Sequence, residues 1–158
     1  MNRLSLVALL GLSLLALAGA GCKASEPEAH WVQYEVPAQN DRLLMEVTAM
    51  AVQKSGFPIG SGIDPGHLTL VSGWHTSLAP FRGAGFREQC EVKYDRIVPR
   101  RYQASIRVRR EKNDDILRPL DITYAQWKQE PDDYDRARTV MQHIRSLLDT
   151  DVEVGSKR

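Results

Sequence analysis

The chain is short of most of the residues that announce chemistry. It has only two cysteines in 158 residues, Cys22 and Cys90, which excludes a fold stapled by several disulfides. Its charge is nearly balanced, with 21 basic against 20 acidic side chains. That excludes general nucleic-acid binding, which draws on a net basic surface. Four histidines are present, His30, His67, His75 and His143, and no two fall at the i,i+4 helical or i,i+2 strand spacing that builds a metal site. There is no Gly-x-Ser-x-Gly elbow. Ser77 and His75 form no nucleophilic motif with Cys90, which falls on an apolar strand face. Gly60-Ser61-Gly62 follows a helical pattern rather than a strand and lacks a closing Lys-Ser/Thr, so it reads as a turn and not a phosphate loop. No catalytic residue, cofactor or metal ligand is expected.

What is present begins with the first 22 residues. Asn2 and Arg3 precede an uncharged run of 17 residues, Leu4 to Ala20, rich in Leu and Ala, and Gly19-Ala20-Gly21-Cys22 closes the segment. A basic start, an apolar middle and small residues at the end make a secretory signal peptide. A Cys directly after the small residues resembles the lipobox of bacterial lipoproteins. That resemblance implies a signal peptide over 1–21, a lipid on Cys22 as the mature N-terminus, a short polar tether over 22–29 and attachment to a membrane. Lys23 after the Cys, rather than Asp, is similar to the pattern that sends enteric lipoproteins to the outer membrane, facing the periplasm. Without residues 1–21, the remaining 137 balance 20 basic against 20 acidic side chains. A hydrophobic content of 42% with clear periodicity argues against disorder. A chain of this size forms one domain, expected over 30–149 with a flexible tail over 150–158, and buries roughly two-thirds of its surface.

The periodicities give the elements. His30 to Pro37 alternates, with Val32, Tyr34 and Val36 on one face, and Pro37 ends it as a strand. Asn40 caps a helix from about Asp41 to Ser55, striped by Leu43, Leu44, Val47, Met50 and Ala51 and stopped by Gly56. Phe57 to Gly66 is turn chemistry, and His67 to Leu78 reads as a second strand. Phe86 to Tyr94 puts Phe86, Cys90, Val92 and Tyr94 inward. Arg101 to Arg110 does the same with Tyr102, Ala104, Ile106 and Val108. A hairpin through Val98-Pro99-Arg100 keeps both apolar sets on one side. If Ile97 pairs with Arg101, Glu91 faces Arg107 and Cys90 neighbours Val108. Pro131 opens the last helix, whose stripe runs from Tyr134 through Ala137, Val140 and Ile144 to Leu148, with Asp132, Asp133 and Asp135 in its first turn. The expected fold is α+β: an antiparallel sheet of about four strands packed on two helices, in the order β-α-β-β-β-α.

That order, behind a lipoprotein signal and with a first strand ending in Val36-Pro37 and a helix ending at Ser55-Gly56-Phe57, resembles the helix-grip domains of BamC-type envelope lipoproteins. It is also similar in layout to LptE-like lipoproteins. The resemblance implies a non-catalytic binding or assembly accessory on a membrane, within an envelope protein complex. The alternative is a small-ligand-binding protein or an enzyme with a cleft between sheet and helices; a cavity lined by Trp74, Cys90 and Tyr102 would favour it.

Two features offer themselves for binding. Asn113 to Glu130 is a long irregular stretch rich in large apolar groups. Either it wraps over the sheet and completes the core, or Leu117, Tyr124 and Trp127 serve as partner anchors. Phe81, in the Pro80-Phe81 loop, is a second candidate anchor. Arg96 to Lys112 holds seven basic residues and one acidic one, and Asn113 to Arg136 holds seven acidic and three basic. A basic sheet face of this kind meets either anionic headgroups or, as a solvated strand face, its own acidic neighbours.

Overall fold

A computed structural model describes residues 27–78 and 83–155. Seven strands and two helices follow in the order β1 (Val32–Pro37), α1 (Asp41–Lys54), β2 (Ile63–Asp64), β3 (Thr69–Val71), β4 (His75–Ser77), β5 (Phe86–Val98), β6 (Arg101–Asn113), β7 (Trp127–Glu130) and α2 (Tyr134–Gly155). A short 3-10 turn, Ile122–Tyr124, precedes β7. All strand pairings are antiparallel. Among the described residues the fold is α+β with one sheet and two helices, as the periodicities imply. The sheet has seven strands rather than about four.

The extra strands come from interruptions. The segment His67–Leu78 is not one strand but two, β3 and β4, both paired with β5. Between them Ser72 keeps hold of β5, its amide donating to Cys90 O and its Oγ accepting from Cys90 N. β2 arises inside the Phe57–Gly66 stretch that reads as turns, and β7 inside the stretch that reads as irregular. β6 is flanked the same way: β1 pairs with Arg101–Ile106 and β7 with Arg110–Asn113. The chain leaves β7 through the notch between them, where Asp133 N donates to Val108 O. The sheet is therefore a long β5–β6 hairpin with two shorter strands on each side, and β2 outside β3.

The hairpin register agrees with the alternation: Glu91 lies opposite Arg107, and Cys90 opposite Val108. Only the end differs. A bulge places Val98, not Ile97, opposite Arg101, and Arg100 takes φ 66° in the turn. Even-numbered residues of β5 and β6 face the helices. Cys90, Val92, Ala104, Ile106 and Val108 are fully buried there with Leu44, Val47, Ala51, Val52, Val140 and Ile144. Each such aliphatic contributes roughly 1.5–3 kcal/mol by leaving water.

Asn40 caps α1 as its sequence implies, Oδ1 accepting from Leu43 N at 2.8 Å. α2 begins three residues after Pro131, and Asp133 is its cap, accepting from Arg136 N at 2.9 Å. Tyr134, expected on the buried stripe, is 52% exposed. Asp132 lies outside the helix and pairs with Arg107 at 2.6 Å. The bounds of α2 reach into the stretch expected as a tail.

One charged side chain is fully buried on the inward face of β5. Glu88 shares the parity of Cys90 and Val92 and is 1% exposed. Arg136 of α2 pairs with it, donates through its other terminal nitrogen to Ser55 O at the end of α1, and lies over the Phe57 ring. A buried carboxylate needs such a partner. This one joins the sheet to both helices.

Candidate interaction surface

The segment between β6 and β7 forms a projecting loop, 114–126, built by two buried side chains. Asn113, 3% exposed at the end of β6, uses its whole amide. Its Oδ1 accepts from Asp115 N and Gln126 N, both at 3.0 Å, and its Nδ2 donates to Arg118 O and Pro119 O at 3.0 and 3.1 Å. That exhausts the hydrogen-bonding capacity of an asparagine. Asp115 Oδ1 then accepts from Leu117 N and Arg118 N at 2.9 and 3.0 Å. The loop is also clasped to the start of β5, where Gly85 N donates to Pro119 O at 2.6 Å. A Cβ on Gly85 would stand 3.0 Å from Leu78 Cδ2 and 3.3 Å from Pro119 O, so a side chain here would press on the clasp.

This scaffold holds large apolar groups away from the core. Ile116 is 92% and Leu117 88% exposed, and Ile122 and Tyr124 are more than half exposed. Arg118 lies 3.9 Å over the Tyr124 ring. The loop does not wrap over the sheet. Of the expected anchors, Leu117 and Tyr124 are on the projecting surface, whereas Trp127 is half-buried within β7 and stacked 4.7 Å from Arg87. Trp127 forms the base of the loop rather than its tip. Ile116, which the sequence reading passed over as an anchor, is the most exposed large apolar side chain among the described residues. Phe81 and Cys22 lie outside the described residues.

The odd-numbered face of the sheet carries no helix. Trp74 and Trp127 flank Arg87 at 4.2 and 4.7 Å, and Trp31 lies 4.7 Å from Lys93 Nζ. Ion pairs run between: Arg87 with Glu111 at 2.6 Å, Arg109 with Glu91 at 3.7 Å, and Arg107 with Asp132. Most of the basic run is thus neutralised, by Glu91 and by the acidic segment, as a solvated strand face would be. The exceptions are Lys112, which has no ion pair among the described residues, and the hairpin end. Arg100 has no ion pair among the described residues, and Arg101 stands 3.9 Å from Glu35 with both side chains exposed.

Trp74 faces away from the helices while Cys90 and Tyr102 face toward them, so these three do not line one cavity. Cys90 is buried, and burial pushes its thiol up to about 12, which leaves no reactive thiolate at neutral pH. Ser55 Oγ donates to Ala51 O, so His143 Nδ1, 2.8 Å away, must donate to Ser55 rather than accept from it. That polarity is the reverse of nucleophile activation. Among the described residues no three His, Cys, Asp or Glu side chains gather as a metal site, and no helix is long and apolar enough to cross a membrane. One apolar groove of about 430 Å3 lies between α1 and β2, lined by Met45, Ala49, Ile63 and Pro65 with Asp41, Arg42 and Glu46 at its rim.

Comparison of the chain with protein-family models and with curated protein sequences finds no match to either.

Proposed function

We propose that the protein is a lipid-anchored, non-catalytic binding or assembly module of the cell envelope, tethered through Cys22 and contacting a protein partner through the 114–126 loop. The observation that carries the partner contact is the exposure of Ile116 and Leu117 on a loop fixed by Asn113 and Asp115. Single exposed aliphatics are ordinary. Two adjacent ones on a hydrogen-bonded scaffold are pre-organised, so little ordering entropy opposes docking into a partner's apolar pocket. The tether rests on the Gly-Ala-Gly-Cys sequence at 19–22; the expected site is the periplasmic side of the outer membrane.

Two experiments test the parts separately. Cys22→Ser should release the protein from membranes or leave the precursor uncut, and unchanged maturation and fractionation would remove the anchor. Affinity purification from mild-detergent membranes should recover an envelope complex with the native chain and lose it with Ile116→Ser/Leu117→Ser. Equal recovery by both would remove the loop.

A second reading, small-ligand binding, draws on the groove between α1 and β2. An apolar ligand there should raise the melting temperature of the native chain, and Ala49→Trp should abolish that rise.

A further inference from the structure

The opposite end of the sheet has a different chemistry. The β5–β6 hairpin closes through Arg96-Ile97-Val98-Pro99-Arg100-Arg101, which holds three arginines and no acid. The bulge between Arg96 and Val98 takes Ile97 out of the pairing register, and Ile97 and Val98 are 47% and 48% exposed. Arg96 is engaged by an exposed pair within the chain, donating to Asp41 at 2.5 and 2.7 Å. Arg100 has no ion pair among the described residues, and Arg101 has only an exposed one, 3.9 Å from Glu35. The nearest strand acids, Glu35 and Asp95, both lie opposite Gln103, back from the turn. Beside the turn is a shallow hollow of about 320 Å3, floored by Tyr102 and Asn40 and rimmed by Pro99 and Arg100. Asp41 also borders it, with its carboxylate already held by Arg96 and Tyr102.

Arg100 is an unexpected residue for its place. Its φ of 66° lies in the left-handed region, where Gly or Asn is conformationally cheaper and is the usual choice in a tight hairpin turn. A charged side chain kept at a strained turn position, next to a second arginine and two half-exposed aliphatics, points to a role outside the fold.

We propose that this hairpin end docks on a bilayer surface carrying anionic phospholipid headgroups, Arg100 and Arg101 contacting phosphates and Ile97, Val98 and Pro99 entering the interfacial layer. The pairing of guanidinium groups with aliphatic side chains is what such a surface selects, because the two attractions add. The contact goes beyond the tether and does not need it. It is compatible with it: Trp31 is nine residues along the chain from Cys22, a step that reaches roughly 30 Å when extended. From Val32 to the hairpin end β1 descends roughly 17 Å. A lipid on Cys22 and the hairpin end can therefore meet one membrane, a step that alone rests on the reading of Cys22. The 114–126 loop would then point away from that membrane, roughly 40 Å off at the far end of two 13-residue strands.

The test uses residues 22–158 with Cys22→Ser, which contain every element of the fold and carry no lipid. Sedimentation with phosphatidylglycerol vesicles is compared with phosphatidylcholine vesicles at an ionic strength of about 0.01 M, where charges are screened only over about 30 Å. The expected result is binding to the anionic vesicles alone, abolished by salt. Arg100→Gln/Arg101→Gln should weaken it about twenty-five-fold, about fivefold for each arginine. Ile97→Ser/Val98→Ser should weaken it further, and Ile116→Ser/Leu117→Ser should leave it unchanged. All these positions are exposed, so an unchanged melting temperature verifies that each variant is folded. No binding to anionic vesicles, or equal binding to neutral ones, would overturn the proposal. So would binding that is lost with Ile116 and Leu117 but kept without Arg100 and Arg101, which would assign the membrane contact to the other end.

Discussion

The two ends of the β5–β6 hairpin solve the same problem, how to close a long sheet, by opposite means. At the loop end a neutral amide and a carboxylate, Asn113 and Asp115, are buried and saturate backbone groups, and the apolar side chains are turned out. At the hairpin end the anchoring includes an exposed ion pair: Arg96 and the buried Tyr102 phenol converge on Asp41 at the start of α1. Buried hydrogen bonds hold firmly because the alternative is an unpaired polar group away from water. Exposed ion pairs hold weakly, because water and salt compete for them. The loop end is therefore built for a fixed shape and the hairpin end for adjustable charge.

The largest effect should come from the joint between the ends. Arg136→Ala leaves Glu88 buried and unpaired, and breaking such a pair costs about 3 kcal/mol, the low end of the range because Arg136 is 31% exposed. Urea titration measures it; a loss below about 1 kcal/mol would mean Glu88 finds another partner. Next is Asn113→Ala, expected to cost about 2 kcal/mol by stranding backbone groups of the loop. It should also make the bond after Tyr124 sensitive to chymotrypsin, and a loop that stayed resistant would show that the Gly85 clasp suffices.

Arg100→Gly should act in the other direction, raising stability by about 0.5–1 kcal/mol by relieving the left-handed turn. The same change should weaken vesicle binding, so stability and docking would move oppositely at this one position. A fall in stability would show that the Arg100 side chain serves the fold. The smallest effect belongs to Asp41. The Tyr102 phenol, and after it Arg96, hold its carboxyl below the usual carboxylate range. A lowered folded-state value means the stabilisation is present above the unfolded value of about 4 and is lost as pH falls through the lower, folded one. Native-state hydrogen exchange at the hairpin end should accelerate over that acid window, and Asp41→Asn should remove the pH dependence. Acceleration that persisted in Asp41→Asn would assign the transition to another carboxylate.

The long elements were legible because each carries its own period. Phe86–Tyr94 and Arg101–Arg110 alternate cleanly, and their register follows from matching parity. The same parity placed Glu88 inside; its charge hid it, and its partner Arg136 lies 48 residues away. β2, β3, β4 and β7 run to no more than four residues each, too short for a period to be read. They exist because neighbouring strands offer them hydrogen bonds: β5 to β3 and β4, β6 to β7, and β3 in turn to β2. The projecting loop was visible as a long apolar insertion, but its direction depended on Asn113, whose amide reaches residues 115–126 only once the chain has turned. Leu117 and Tyr124 therefore stood out from composition alone, and Ile116 did not.

The stepped margins of the sheet have one more consequence. A long, straight outer strand offers a row of free amides and carbonyls to any other chain that is extended, and is a common start of aggregation. Here neither side presents one. The six-residue β1 gives way to the four-residue β7 with the chain crossing between them, and on the other side β3 and β4 are three residues each, offset by Ser72–Trp74. Among the described residues, strand-to-strand templating finds no outer strand longer than six residues on which to start.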